Sequence, residues 1–227
     1  MRCVILDDYQ NAALAMADWS PLAGRVEAEA ITDHIEDRAA LVARLAGVEV
    51  VVAMRERTAF DAALLAQLPA LRLLVTTGMR NASIDLAAAA ANGVTVCGTE
   101  GGSRATAELA WALILALVRN LPREAERLRR AETPWQLTLG HELAGKRLGV
   151  IGFGRLGSAV AKVGVAFGME VTALSRSLAP ERAAALGVTL AGSLDELLTG
   201  ADVVTIHQVL SRTSRGLIGA REIALMK

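Results

Sequence analysis

"LGVIGFGRLGSAVAKVGVAFGMEVTALSRS", residues 148–177, packs two apolar runs, a glycine turn and a helical stretch into one short segment. The first run leads into Gly152, Phe153 and Gly154, then Gly157; a stretch of helical period follows, and a second run covers 170–174. Gly-x-Gly-x-x-Gly alone is a weak signal. Set between a strand and a helix, with a second strand about 20 residues on, it is the arrangement a dinucleotide requires. Gly152 permits the tight turn, Gly154 lets the backbone approach a pyrophosphate, and Gly157 lets the helix pack against the strand. The start of a helix over 155–167 offers unpaired N–H groups and a positive dipole to phosphate.

The second strand ends in Leu174, Ser175, Arg176 and Ser177, where an Asp or Glu would take both ribose hydroxyls of NAD. Such a carboxylate also repels a 2′-phosphate, by about 4 kcal/mol for unit charges about 4 Å apart at an effective dielectric of about 20. Ser175 removes that repulsion, Arg176 can pair with the phosphate and Ser177 can donate a hydrogen bond. The expected cofactor is NADP(H). NAD remains possible if Arg176 is a solvated loop residue and ribose hydroxyls alone carry binding.

Working outward, 227 residues with 53% hydrophobic content can build one large core or two small ones. Lys plus Arg and Asp plus Glu balance at 24 each, so no global charge favours nucleic acid or an anionic membrane. Aromatics at 3% leave little for base stacking. Cys3 and Cys97 form no Cys-x-x-Cys and no disulfide framework, which reads as a reducing, cytoplasmic setting. The opening "MRCVILDDYQ" is no signal peptide, and no stretch of about 18 uncharged apolar residues suggests a membrane span.

Short apolar runs recur at 3–6, 26–31, 48–53, 71–76 and 94–97, with Ala- and Leu-rich segments between them. One such segment follows Thr58, a candidate N-cap; another ends at Asn92-Gly93, a C-terminal stop. Strands alternating with helices predict a parallel sheet covered on both faces. "GTEGGS" (98–103) reads as a hinge, followed by an apolar helix over 104–120 and a charged one from Pro122. In that second helix, arginines alternate with Glu124 and Glu126, a solvated or subunit-facing pattern. A second series follows: strand 147–151, helix 155–167, strand 170–174, helix 180–186, "VTL" at 188–190, a capping box of Ser193 and Glu196, strand 203–207 and a last helix in "GAREIALMK". The predicted fold is α/β with two parallel-sheet domains. Residues 1–100 form a flavodoxin-like substrate domain, and 101–227 an incomplete Rossmann nucleotide-binding domain.

Four stretches carry a resemblance: 76–120, 143–171, "ADVVTIHQVL" (201–210) and "TSRGLIGAREIALMK" (213–227). Together they resemble the D-isomer-specific 2-hydroxyacid dehydrogenases, in that family's order and over nearly the whole chain. The resemblance implies that backbone N–H groups of Gly78, Met79, Arg80 and Asn81 hold a substrate carboxylate. It places Met79 and Thr106 towards the nicotinamide, Arg155 and Leu156 on the pyrophosphate, and His207, Gln208 and Val209 beside the adenosine. Arg80 and Ala82 depart from the family's commoner loop, where a Gly and an Asp stand, which leaves the substrate open. The implied partner is a small 2-hydroxy or 2-oxo acid, and the long helix with its charged successor suggests a homodimer.

Family chemistry moves a hydride between nicotinamide C4 and C2 of a 2-oxo acid, assisted by an Arg, a Glu and a His. All three follow the helix resembling "GAREIALMK", so the catalytic residues are expected beyond Lys227. His34, His141 and His207 are expected to be structural, and there is no metal-ligand cluster. The alternatives are a non-catalytic NADP(H)-binding remnant or sensor and, further off, a flavodoxin-like interaction domain.

Overall fold

Two parallel sheets organise the computed structural model, which describes every residue except Ser103, Ser177 and Arg212. The contacts divide the chain into unit 1, Met1–Gly101, and unit 2, Gly102–Lys227.

In unit 1 the strands are β1 (Arg2–Ile5), β2 (Glu27–Ala30), β3 (Val50–Ala53), β4 (Leu73–Thr76) and β5 (Thr95–Gly98). Their order is β2-β1-β3-β4-β5, all parallel, with Cys3 opposite Val50 and Val50 opposite Leu73. This is the flavodoxin-like order. The inner strands are continuous apolar runs because both faces are covered. Three short helices follow strands: α1 (Arg38–Arg44), α2 (Ala62–Leu65) and α3 (Leu86–Ala91). Each is capped by an Asp, respectively Asp37, Asp61 and Asp85, whose carboxylate accepts a first-turn N–H. Asn92-Gly93 closes α3 as expected: Gly93 turns left-handed at φ 70°, and Val94 N–H donates back to the Ala89 carbonyl.

The expected cap at Thr58 is corrected to Asp61. Thr58 is buried and its hydroxyl donates to Asp7, while Phe60, fully buried, bridges to Ile84. That bridge holds the chain extended, so the helix starts only after Asp61.

Unit 2 begins with α4 (Arg104–Val118) and α5 (Leu121–Arg129). The first helix stops two residues short of the expected 120. Asn120 turns left-handed at φ 56° and Pro122 opens the next helix, with a 70° bend between the two. No single helix among the described residues is long and apolar enough to cross a membrane. The strands β6 (Arg147–Ile151), β7 (Glu170–Leu174), β8 (Val188–Leu190) and β9 (Val203–Ile206) alternate with α6 (Arg155–Ala166), α7 (Pro180–Ala185) and α8 (Leu194–Gly200), and α9 (Ala220–Leu225) follows. The sheet order is β8-β7-β6-β9, parallel throughout, the first half of a Rossmann sheet with one further strand. Trp111 on α4 docks this helix against α6: its Nε1 donates to the Val160 carbonyl at 3.1 Å, and its ring lies 5.0 Å from that of Phe167. Ser193 caps α8 as expected, but the Glu196 carboxylate reaches one residue further back, to Gly192 N–H at 2.8 Å.

The charged helix α5 is not simply solvated. Glu124 is buried, and its carboxylate accepts the N–H groups of Leu137 and Thr138 together with the Thr138 hydroxyl. The Thr138 hydroxyl above all, then these backbone N–H groups, hold its carboxyl below the usual range against the opposing effect of desolvation. A carboxyl depressed on folding adds stability that is complete above its unfolded value and is lost as pH falls through its folded value. Glu124→Gln is therefore expected to lower the thermal midpoint at neutral pH. The gap to the parent should close as pH drops through and below the carboxylate range, measured by thermal melts across pH.

Candidate functional site

The glycine turn joins β6 to α6, and its three glycines serve three different needs. Gly152 has φ 88°, and a Cβ there would stand 2.8 Å from Gln208 N at the end of β9. Gly157 allows no side chain, since a Cβ would lie 2.1 Å from the Gly152 carbonyl oxygen. Gly154, the N-cap of α6, has nothing within 4 Å of an added Cβ. Phe153 between them is buried in the core beneath the turn. Arg155 and Leu156 open α6, so their N–H groups are among those with no carbonyl partner inside the helix.

The order of this sheet reverses between β6 and β9, and in open α/β sheets ligands bind outside the carboxyl ends at such a reversal. A cavity of about 360 Å³ lies there. Ile151, Leu174, Ser175, Arg176, Gln208 and Ser214 are among its lining residues. It thus brings together the ends of β6, β7 and β9, three elements far apart in sequence. Arg176 is the one charged residue in that lining among the described residues, and no carboxylate is part of it. Ser177 lies outside the described residues.

His207 and Val209 flank Gln208 at the end of β9. The His207 Nε2 is 2.9 Å from Thr205 Oγ1, and burial pushes its imidazole pKa down. Burial thus favours the neutral ring, which meets Thr205 as a hydrogen-bonding group. Val209 is exposed, and its carbonyl accepts the Ser214 hydroxyl at 2.7 Å. Thr106 sits in the first turn of α4, exposed, and is not part of the cavity lining.

In unit 1 the loop 77–81 follows β4. Gly78 has φ 109°, and its N–H donates to Thr99 Oγ1 at 2.9 Å. Asn81 is fully engaged in shaping the loop. Its Nδ2 donates to the Arg55 carbonyl at 2.6 Å and to Thr76 Oγ1 at 3.0 Å, while its Oδ1 accepts Ser83 N–H at 2.9 Å. Met79 and Arg80 are exposed.

Two residues of this loop environment are not apparent from the sequence. Arg55 takes a left-handed conformation at φ 57° and folds over Gly78, with Nη1 donating to the Thr77 carbonyl at 3.1 Å. It brings a second guanidinium, paired with Glu56 at 3.7 Å, to a loop where only Arg80 was expected. Gly98 backs the loop so closely that a Cβ would lie 2.8 Å from both the Gly78 carbonyl oxygen and Met79 Cα. The residue pattern "MRERT" offers cations at 55 and 57, but only the pairing of β3 with β4 decides that the first meets Gly78.

His34 Nδ1 pairs with Asp7 at 2.7 Å, and the backbone N–H of His141 donates to the Val118 carbonyl at 2.8 Å.

Comparison with known proteins places the chain in a family. Residues 111–227 match the family model for the D-isomer specific 2-hydroxyacid dehydrogenase, NAD binding domain. A glyoxylate reductase from Aeropyrum pernix is 41% identical over 175 residues, 74% of this chain and 52% of that protein. A D-3-phosphoglycerate dehydrogenase from Methanocaldococcus jannaschii is 38% identical over 69% of this chain and 30% of its own length. The chain thus spans at most about half of these two relatives. A phosphoglycerate oxidoreductase crystal structure from Vibrio cholerae superposes with a TM-score of 0.93 at 34% identity, covering 100% of this chain and 72% of that one. The unit 2 sheet reverses beside a glycine turn, and with the family-model match over 111–227 the chain belongs to the D-isomer specific 2-hydroxyacid dehydrogenase family.

Proposed function

We propose that this chain is the substrate-loop and cofactor-binding part of an oxidoreductase that moves a hydride between NADPH and C2 of a small 2-oxo acid. One observation carries the reading. Gly152 and Gly157 must be glycine because the surrounding backbone leaves no room, whereas Gly154 faces open space. Without a side chain there, the start of α6 stays open to a ligand, and a pyrophosphate fits that place.

The N–H groups of Arg155 and Leu156 would hold that pyrophosphate, and His207, Gln208 and Val209 would flank the adenosine. Ser175, Arg176 and Ser177 would take the 2′-phosphate, a role supported for Ser175 and Arg176 by a lining with one cation and no carboxylate among the described residues. Thr106 would stand on the nicotinamide side. A bound nicotinamide supplies the hydride donor or acceptor. The part played by unit 1 is to hold the acid. In the loop 78–81, the N–H groups of Met79, Arg80 and Asn81 and the guanidinium groups of Arg80 and Arg55 would meet a carboxylate, while Gly78, its N–H taken by Thr99, would give the loop its turn and its close approach. Proton transfer to the carbonyl is assigned to none of the residues in these two units.

The test is fluorescence titration with NADPH and NADH, followed by turnover of glyoxylate or hydroxypyruvate by the full gene product. NADPH binding with 2-oxo acid reduction is expected. Binding without turnover would leave only the cofactor half standing. Leu109, Leu113 and Leu117 form an exposed stripe at four-residue spacing on α4, which this reading assigns to a second copy of the chain in a homodimer. A solution mass near twice 23.8 kDa is expected of this polypeptide. Its two free cysteines suit a reducing, cytoplasmic setting.

A further inference from the structure

The order of the unit 1 sheet reverses between β1 and β3, so its own ligand crevice lies outside the carboxyl ends of those two strands. Two non-glycine residues just past those ends, Asp7 at φ 58° and Arg55 at φ 57°, are held left-handed. Such strain gathers at functional sites. Asp7 is only 1% exposed, yet it carries a carboxylate. One oxygen meets His34 Nδ1 at 2.7 Å and the other accepts the Thr58 hydroxyl at 2.7 Å. Burying a carboxylate is costly, and an apolar pair would hold the same loops together as well. What the carboxylate adds is a fixed imidazole: Nδ1 is taken, so only Nε2 remains to meet a ligand.

Arg57 is anchored in the same network. Its Nη1 donates to the Asp7 carbonyl, and its guanidinium lies 4.2 Å over the Tyr9 ring. Arg38 is pinned by both oxygens of Asp61, at 2.7 and 2.6 Å. His34, Arg38 and Arg57 line one cavity of about 240 Å³, whose apolar wall includes Leu41 and Leu64 and whose one acid is Glu36. That volume corresponds to about eight waters at about 30 Å³ each, enough for a short acid or a phosphate group.

We propose that this cavity is a second site, for a small oxyanion, a phosphate or a short carboxylate, held by Arg57, Arg38 and the Asp7-oriented imidazole of His34. It uses none of the residues assigned to the dinucleotide or to the loop 77–81, so it stands or falls apart from the dehydrogenase reading.

The experiment is proton NMR of the three imidazoles in the intact chain, with the His34 signal assigned by its loss in His34→Gln. Inorganic phosphate and butyrate are titrated separately at constant ionic strength, with chloride as control. A saturable movement of the His34 signal by one or both oxyanions, absent with chloride, is expected; which of them saturates at lower concentration identifies the source. Arg57→Gln and Arg38→Gln should each raise the midpoint by about tenfold, the scale of one charge-assisted hydrogen bond. Gly154→Val should leave the His34 response unchanged while dinucleotide binding is lost. No movement, movement equal to that with chloride, or movement unaltered in both arginine variants would overturn the site.

Discussion

Gly157→Ala is expected to lower the stability of unit 2 and to abolish dinucleotide binding, whereas Gly154→Ala should do only the second. An added Cβ at 157 would lie 2.1 Å from the Gly152 carbonyl oxygen and 3.3 Å from Val150 Cγ1. The oxygen belongs to a residue at φ 88° that is itself packed against the end of β9, so it has nowhere to go. Overpacking in a well-filled site costs about 1–3 kcal/mol, and a backbone obstacle puts this case at the upper end. At 154 the backbone has φ −82° and an added Cβ meets nothing. Stability there should stay within about 0.5 kcal/mol, while NADPH affinity falls because the methyl takes the ligand's space. Urea unfolding read from Trp111, buried against Phe167, in a protein whose Trp19 and Trp135 are replaced by Phe, together with NADPH titration, separates the two effects. A Gly157→Ala protein that unfolds with the parent would contradict the turn geometry. Undiminished NADPH binding in Gly154→Ala would remove the pyrophosphate from this turn.

Ser175→Asp is expected to reverse the cofactor preference. The residue lies at the carboxyl end of β7 in the cavity beside Arg176, whose lining has no carboxylate among the described residues. A carboxylate introduced there would repel a 2′-phosphate and compete for the Arg176 guanidinium. Loss of a charge-assisted pair is worth about 1.5–3 kcal/mol, so NADPH should bind about ten- to a hundredfold more weakly. NADH, which offers ribose hydroxyls to the new acid, should bind as well as before or better. An unchanged ratio of the two affinities would take Ser175 and Arg176 out of cofactor choice.

Much of this site is legible in the sequence because its signals are local. The glycine turn, the strand before it and the helix after it lie within one short segment, and α3 ends at Asn92-Gly93 for reasons contained in those two residues. What escapes the sequence depends on partners far along the chain. Thr58 and Asp61 are both good helix caps. The choice between them falls to a bridge from Phe60 to Ile84 and to Asp7, which claims the Thr58 hydroxyl from 51 residues away. Glu124 looks like one more charge on a solvated helix, and only the return of the chain at Leu137 and Thr138 buries it. Arg55 reaches Gly78 through the pairing of adjacent strands and a left-handed backbone that its residue type does not announce.

The two strand orders also bear on how the chain emerges from the ribosome. In unit 1 the first strand made, β1, sits inside the sheet; β2 joins one side of it and β3 the other, and β4 and β5 extend that second side. Unit 2 repeats the scheme, with β6 as the seed, β7 and β8 growing outward and β9 closing the opposite flank. Every new strand therefore meets an existing edge at the moment it is synthesised, and none has to be threaded between neighbours already paired. Parallel sheets are slow to form because each pairing must close a long crossover. Growth by addition at a free edge limits that cost to one crossover at a time, and unit 1 can complete its hydrogen bonding while unit 2 is still being translated.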